Sequence, residues 1–388
     1  MKWQLMEDAI SFSDRFKLAK FALTADRFTN GEKVRELEHK WNEWLGSEHS
    51  LFVSSGSTAN FLLIAALKEY LKLKDGDKVL VPACTWMTNV APIMQLGLTP
   101  IFCDINTSDF SFNYDNLDYI SAKHPGIKLI FVTHLLGFTS TARITGIFQD
   151  LFPNAMVIDD VCESHGCLDN LGNRIGSNSL GATFSTYFGH HLTSVEGGFV
   201  STCDKKLYDL MKMKRSHGMA RESSNFDYYA KKYTNIDKSF LFITDGYNFR
   251  NTEIGAVLGL SQLKKLDKSI EIRNKNFKRF CTIMDKYNKL FHPVDFSYTS
   301  SNFCLPFVAK SKNTKLILQE KFQEENIEYR PIVSGNLLKQ PFLKGYEICT
   351  DKKTTNADLI HNNGLYIGNS QFVNTKHLDK LENILESL

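Results

Sequence analysis

Two adjacent histidines, His190 and His191, stand in FSTYFGHHLTSVEGGFVST (184–202), a stretch that reads as a strand, a polar turn and a glycine-paired return strand. Polar turns between buried elements commonly carry catalytic side chains. An imidazole, with an ordinary pKa of about 6.5, suits proton transfer near neutrality. No lysine occurs between Lys128 and Lys205, so the turn has no local amine with which to attack a carbonyl. Upstream, VSSGSTAN (53–60) follows an apolar strand and opens a helix. Small residues with free N–H groups at a helix start make a phosphate cradle, although the same residues would also serve as a plain N-cap. Trp86, in a loop after the next strand, is either a core aromatic or a flat face for a planar ligand. The segment MVIDDVCESHG (156–166) ends an apolar strand in two carboxylates, Asp159 and Asp160, which could cap the following turn or tune a bound heteroaromatic ring.

The elements that must position these groups alternate. Short apolar strands are expected at 78–81, 99–104, 128–133, 155–159, 182–187 and 198–202, with helices at 59–71, 85–95, 145–151 and 204–216. Alternation of this kind argues for a mostly parallel, buried sheet whose loops converge on a ligand at the strand carboxyl ends. The first 50 residues read as mainly helical, closing on Gly46. A long helical pattern from 252 to 288 breaks near Leu266-Asp267, followed by a strand in NFCLPFVA (302–309), an amphipathic helix at 313–326 and a last helix from about Lys376. The domain boundary is placed in that region: 1–258 as a large ligand-binding domain and 259–388 as a smaller one.

Composition narrows the class. A net charge of +3 over 388 residues, with no block of like charge, does not favour nucleic acid. No run approaches the roughly 18–20 apolar residues of a membrane span, and MKWQLMEDAI does not resemble a secretory leader. Eight cysteines are scattered without a C-x-C or C-x-x-C pair, so neither a metal site nor an iron–sulfur cluster is signalled, and a reducing, cytoplasmic setting is expected. Neither G-x-G-x-x-G nor G-x-x-x-x-G-K appears.

Taken together and in order, FTNGEKVRELEHKW (28–41), SSGSTAN (54–60), the Trp86 loop, DDVCESHG (159–166), the 184–202 loop and GYNFR (246–250) resemble the DegT/StrS family of pyridoxal-phosphate sugar aminotransferases. The resemblance implies an α/β, three-layer αβα fold of the aspartate-aminotransferase-like fold type I, with a mostly parallel mixed sheet and a smaller C-terminal α+β domain. It implies that Gly56, Ser57 and Ser185 hold the cofactor phosphate, that Trp86 stacks on the pyridine ring and that Asp160 bonds the ring nitrogen. A buried acid there keeps the nitrogen protonated and the ring electron-accepting. Glu163 stands where the family usually has glutamine, near the ring oxygen. Asn248 would reach the phosphate held by a neighbouring copy, which implies a homodimer with shared sites.

A second position departs. Ser185, Leu192, Thr193, Glu196, Gly197 and Gly198 match the family's lysine loop, but the lysine slot holds His190. A histidine cannot attach pyridoxal 5'-phosphate covalently, yet it can still carry a proton. Alternation along an extended segment would turn His191 away. The combination is similar to the family's GDP-4-keto-6-deoxymannose 3-dehydratases, a likeness extended by RSHG (215–218) and RPIVSGN (330–336). That branch implies pyridoxal or pyridoxamine phosphate held without a covalent bond, L-glutamate as amino donor, and a nucleotide-linked 4-keto-6-deoxy sugar that loses its C3 hydroxyl and leaves ammonia behind. His217 would help the hydroxyl depart or is a surface histidine. Arg250, Arg330 and Ser334 are candidates for the substrate carboxylate or the nucleotide diphosphate. Three other readings compete. A radical iron–sulfur dehydrase needs clustered cysteines, a sugar aminotransferase needs a lysine from elsewhere, and a non-catalytic relative should have lost Asp160 or the phosphate loop.

Overall fold

The computed structural model describes residues 2–295, 297, 299–346 and 353–388; Cys349 lies outside them. Among the described residues ten strands form two sheets: β1 (His49–Val53), β2 (Lys78–Pro82), β3 (Thr99–Cys103), β4 (Ile127–Thr133), β5 (Met156–Asp160), β6 (Ala182–Ser185), β7 (Gly198–Thr202), β8 (Cys304–Val308), β9 (Tyr329–Arg330) and β10 (Gly364–Gly368). The first seven make one sheet in the order β1-β7-β6-β5-β4-β2-β3. β3, β2, β4, β5 and β6 run parallel, while β7 is antiparallel to both of its neighbours.

Both faces of this sheet are covered, as a parallel sheet requires. Alternate residues of one strand serve different cores. Leu129 and Phe131 of β4 pack with the helix Gly56–Tyr70, while Ile130 and Val132 pack with the helix Tyr114–Lys123. Phe52 of β1 joins Trp41 and Phe199 on the far face. The result is the expected three-layer αβα body. β8, β10 and β9 form a small antiparallel sheet backed by the helices Leu266–Met284, Lys312–Glu324, Thr355–Asn363 and Thr375–Glu386, around Phe277, Phe280, Phe307 and Phe322.

Differences from the sequence reading have local causes. The helix expected over 85–95 is a 3-10 turn, Met87–Asn89, followed by a helix at Ala91–Gln95, because Pro92 has no N–H to donate and belongs in a first turn. The strand expected to reach 187 ends at Ser185, where the Thr186 N–H turns to the Gly197 carbonyl. The long helical pattern breaks at Lys264-Lys265 into Glu253–Leu263 and Leu266–Met284. The helices Tyr114–Lys123 and Thr355–Asn363 and the strand β10 were not anticipated at all.

Arg215, opening the RSHG motif, proves to be structural. Its Nη1 donates to Glu38 Oε1 (2.6 Å) and to the Phe52 carbonyl (3.0 Å), and Glu38 Oε1 also accepts the Phe52 N–H (2.8 Å). Both side chains are almost wholly buried, so the pair ties the helices Glu32–Leu45 and Lys205–Arg215 to β1. Removing one partner leaves an uncompensated buried charge. Glu38→Ala is expected to cost about 3–5 kcal/mol in urea unfolding, and Glu38→Ala with Arg215→Met distinctly less; equal losses for the two would sink this account.

Candidate active site

A cavity of about 330 Å³ opens at the carboxyl ends of β4 and β5, roofed by the small sheet. Gly56, Ser57, Trp86, Asp160, Glu163, Ser185, His190 and Arg330 all line it. Ser55 caps the 15-residue helix Gly56–Tyr70, accepting the Thr58 N–H, so the N-cap reading of SSGSTAN holds, and the same helix start lies on the cavity. At Gly56 a β-carbon would stand 2.7 Å from Ser185 Cβ and 3.2 Å from Cys162 Sγ, which leaves the backbone bare toward the cavity.

Strand alternation separates the two acids of β5. Asp160 faces the cavity and accepts hydrogen bonds from Asn89 Nδ2 (2.7 Å), Asn60 Nδ2 (3.1 Å) and the Cys162 N–H (2.9 Å). Asp159 faces the opposite way, meeting Arg143 Nε (2.9 Å), His134 Nε2 (3.2 Å) and the Ser179 hydroxyl. Burial alone would raise the Asp159 carboxyl, but the charge of Arg143 and the hydrogen bonds from His134 and Ser179 bring it down to about 2. Only one acid of the pair is therefore presented to a ligand.

The turn carrying the histidines is compact rather than extended, which corrects the alternation argument for His191. His191 is instead removed from the cavity by burial, its Nε2 lying 3.1 Å from the Ser301 carbonyl. His190 borders the cavity, its ring 5.4 Å from that of Phe303, and its Nδ1 makes no hydrogen bond. Burial, reinforced by the charge of Arg273 and opposed by the Cys162 backbone, lowers the His190 imidazole to about 4. It is thus neutral at physiological pH and open to receiving a proton. Among the described residues no lysine lines the cavity.

Glu163 Oε2 accepts the Leu136 N–H at 2.8 Å. Burial, opposed by that N–H and helped by the charge of Asp160, pushes the Glu163 carboxyl up to about 7.

Four candidates lie elsewhere. Ser216 and Asn248 form a β-bridge, and the His217 N–H meets the Tyr247 carbonyl, so His217, Asn248 and Arg250 share one stretch of surface outside this cavity. Ser334 donates to the Thr85 carbonyl (2.6 Å) and thereby fixes the loop before Trp86. Several lining residues were not foreseen. Asn60 was within reach, since it ends the SSGSTAN segment one turn after Gly56; Asn89, which does not line the cavity but donates to Asp160, lies three positions beyond Trp86. Met6, Phe303 and Tyr366 carry no local signal, because tertiary packing alone brings them here. No group among the described residues could hold a metal ion.

Residues 12–386 match the DegT/DnrJ/EryC1/StrS aminotransferase family. The chain belongs to that family. It is 36% identical over 379 residues to the GDP-4-keto-6-deoxy-D-mannose 3-dehydratase of Yersinia pseudotuberculosis, covering 94% of this chain and 93% of that one. The enzyme of the same name from Escherichia coli O55:H7 is 34% identical over 387 residues, covering 96% of each. A crystal structure of GDP-4-keto-6-deoxymannose-3-dehydratase with a trapped PLP-glutamate geminal diamine superposes with a TM-score of 0.88 at 29% identity, over 99% of this chain and 100% of the other. The fold type I family frame is therefore established.

The family's cofactor can be tested against these residues. A bare helix start with Ser57 and Ser185 suits a phosphate, Asp160 suits a ring nitrogen, and Trp86, 55% exposed, offers an open aromatic face. The residues fit pyridoxal phosphate.

The raised Glu163 carboxyl sets a pH dependence. The fold favours its protonated form, so its contribution to stability is complete below the ordinary 4.5 and is lost as pH rises through about 7. In cofactor-free protein, the Tm of Glu163→Gln is expected to climb relative to wild type across that window by differential scanning fluorimetry. Parallel curves would show that Glu163 is not so perturbed.

Proposed function

We propose that this protein is a pyridoxal/pyridoxamine 5'-phosphate-dependent 3-dehydratase that uses L-glutamate to remove the C3 hydroxyl of a nucleotide-linked 4-keto-6-deoxyhexose, GDP-4-keto-6-deoxy-D-mannose, giving GDP-4-keto-3,6-dideoxy-D-mannose for deoxysugar and O-antigen synthesis. The observation that carries the reading is His190 in the lysine position of a site that keeps the phosphate cradle and Asp160.

When bound, the cofactor supplies a protonated aromatic ring able to accept electrons during loss of the hydroxyl. The chain's own residues do the rest. Gly56, Ser57 and Ser185 bind the phosphate through backbone N–H and hydroxyl groups. Asp160, hydrogen-bonded by its three donors, holds the proton on the ring nitrogen. Glu163, mostly protonated below pH 7, offers a hydrogen bond to the ring oxygen. His190 takes a proton through an imidazole nitrogen and, lacking a primary amine, cannot hold the cofactor covalently or return an amino product. Arg330 reaches the cavity from the small sheet, where a guanidinium can pair with the glutamate carboxylate or the diphosphate.

His217, Asn248 and Arg250 are assigned to the cavity of a second copy in a homodimer, with Asn248 on its phosphate and His217 beside the departing hydroxyl. Their placement together on one surface outside their own cavity supports this. The reading also divides the chain into a cofactor domain (1–258) and a small domain (259–388) and places the protein in the cytoplasm. Among the described residues no helix is long and apolar enough to cross a membrane.

Incubation with pyridoxal phosphate, glutamate and the GDP-sugar should release 2-oxoglutarate and ammonia, with CDP and dTDP analogues poorer. Absence of ammonia with every sugar would refute the proposal. His190→Lys should gain a borohydride-reducible adduct on the chain and lose dehydration; dehydration at the wild-type rate would remove His190 from its role. Asp160→Asn should lower kcat by about 10²–10³-fold, as loss of one key electrostatic group does, and a loss under about tenfold would contradict the role given to that carboxylate.

A further inference from the structure

Residues 2–10 form a strap that runs from the small sheet past the cavity to the helix Glu253–Leu263. At one end Trp3, fully buried, bridges to Ile327, exchanges backbone hydrogen bonds with Asn326 and Glu328, and donates from Nε1 to the Gly368 carbonyl (3.0 Å). The Leu5 N–H bonds Glu328 Oε2 (3.1 Å), and Glu7 accepts from Ser370 (3.0 Å). At the other end the Ala9 carbonyl accepts from Gln262 (3.0 Å), and buried Asp14 accepts from Ser261 (2.6 Å) and Lys265 (2.7 Å). Between these anchors Met6 lines the cavity. It lies so close to the histidine turn that a β-carbon at Gly189 would stand 2.4 Å from its Sδ and 2.9 Å from its Cγ.

The apolar groups around the cavity have unequal freedom. Trp86 is committed to the cofactor ring in the reading above. The Phe303 ring stacks near both His190 (5.4 Å) and His191 (5.9 Å). Leu135 is 2% exposed and belongs to the core. Tyr187 and Tyr366 also line the cavity, but each ring ends in a hydroxyl; Met6, half-buried, remains as the wall without a polar end, and a thioether on three rotatable bonds adapts well to a small apolar group. A 6-deoxyhexose carries one such group, the C6 methyl, where an ordinary hexose carries a hydroxyl.

We infer that Met6 is a specificity-determining residue: pinned by the strap against Gly189, it forms the wall that receives the sugar's C6 methyl. This rests on the 4-keto-6-deoxy sugar proposed above. A hydroxyl set against the same wall would lose its hydration without gaining a partner.

The test is calorimetric binding of two unreactive ligands, GDP-6-deoxymannose and GDP-mannose, to the pyridoxal-phosphate-loaded enzyme. Wild type should bind the 6-deoxy ligand about tenfold more tightly, within the range one small group commands in an apolar pocket. Met6→Leu should keep that ratio, whereas isosteric but polar Met6→Gln should bring it to within about twofold by weakening the 6-deoxy ligand. Equal affinities in wild type, or an unchanged ratio in Met6→Gln, would overturn the assignment of Met6 alone. Failure of wild type to bind either ligand would overturn it together with the GDP-sugar reading.

Discussion

Burying the Asp160 carboxylate, 4% exposed and without an ion pair among the described residues, carries a desolvation cost that two side-chain amides and one backbone N–H must offset. Much of the architecture near the site follows from supplying those donors. Asn60 requires the helix Gly56–Tyr70 to start where it does, and that start also bares Gly56. Asn89 requires the interrupted helix after Trp86, which turns the indole outward. The Cys162 N–H requires the chain to turn as soon as β5 ends. A cation beside Asp160 would have been a simpler partner, but it would compete with a ring nitrogen for the same charge.

The opposite face of β5 shows the alternative solution. Asp159, one residue away, is held by Arg143 and His134 and is charged for structural reasons. Neighbouring carboxylates on one strand thus play unlike parts because the pleat sends them to different environments. The histidine pair is divided by another means. His190 and His191 are both depressed by burial and by the charge of Arg273, and each has an Nδ1 without a hydrogen bond, but His191 is enclosed in the core against Ser301 while His190 borders the cavity.

What the amino-acid order made legible was whatever lies in contiguous segments. Buried parallel strands read as apolar runs, and the phosphate cradle, the acid pair and the lysine-to-histidine change each occupy a few consecutive residues. Asp160 was chosen over Asp159 through the family resemblance, and the pleat of β5 supplies the physical reason, sending only Asp160 to the cavity. Residues contributed across long separations stayed hidden: Tyr366 reaches the cavity because β10 pairs with β9, and Phe303 because the chain entering β8 packs on the histidine turn. His191 was turned aside for the wrong reason, since a compact turn has no strand pleat. RSHG and RPIVSGN looked chemical as wholes, yet in this chain Arg215 anchors a helix and Ser334 fastens a loop, and only Arg330 faces the cavity.

Trp3 hydrogen-bonds to a carbonyl 365 positions further along the chain. At about 5–20 residues per second, a ribosome needs roughly 20–70 s to deliver that partner. Throughout synthesis the αβα body can assemble while the indole has no groove to enter. The N-terminal strap therefore takes its place against the small sheet last, after Gly368 has emerged, and the cavity lacks its Met6 wall until nearly the whole message has been read.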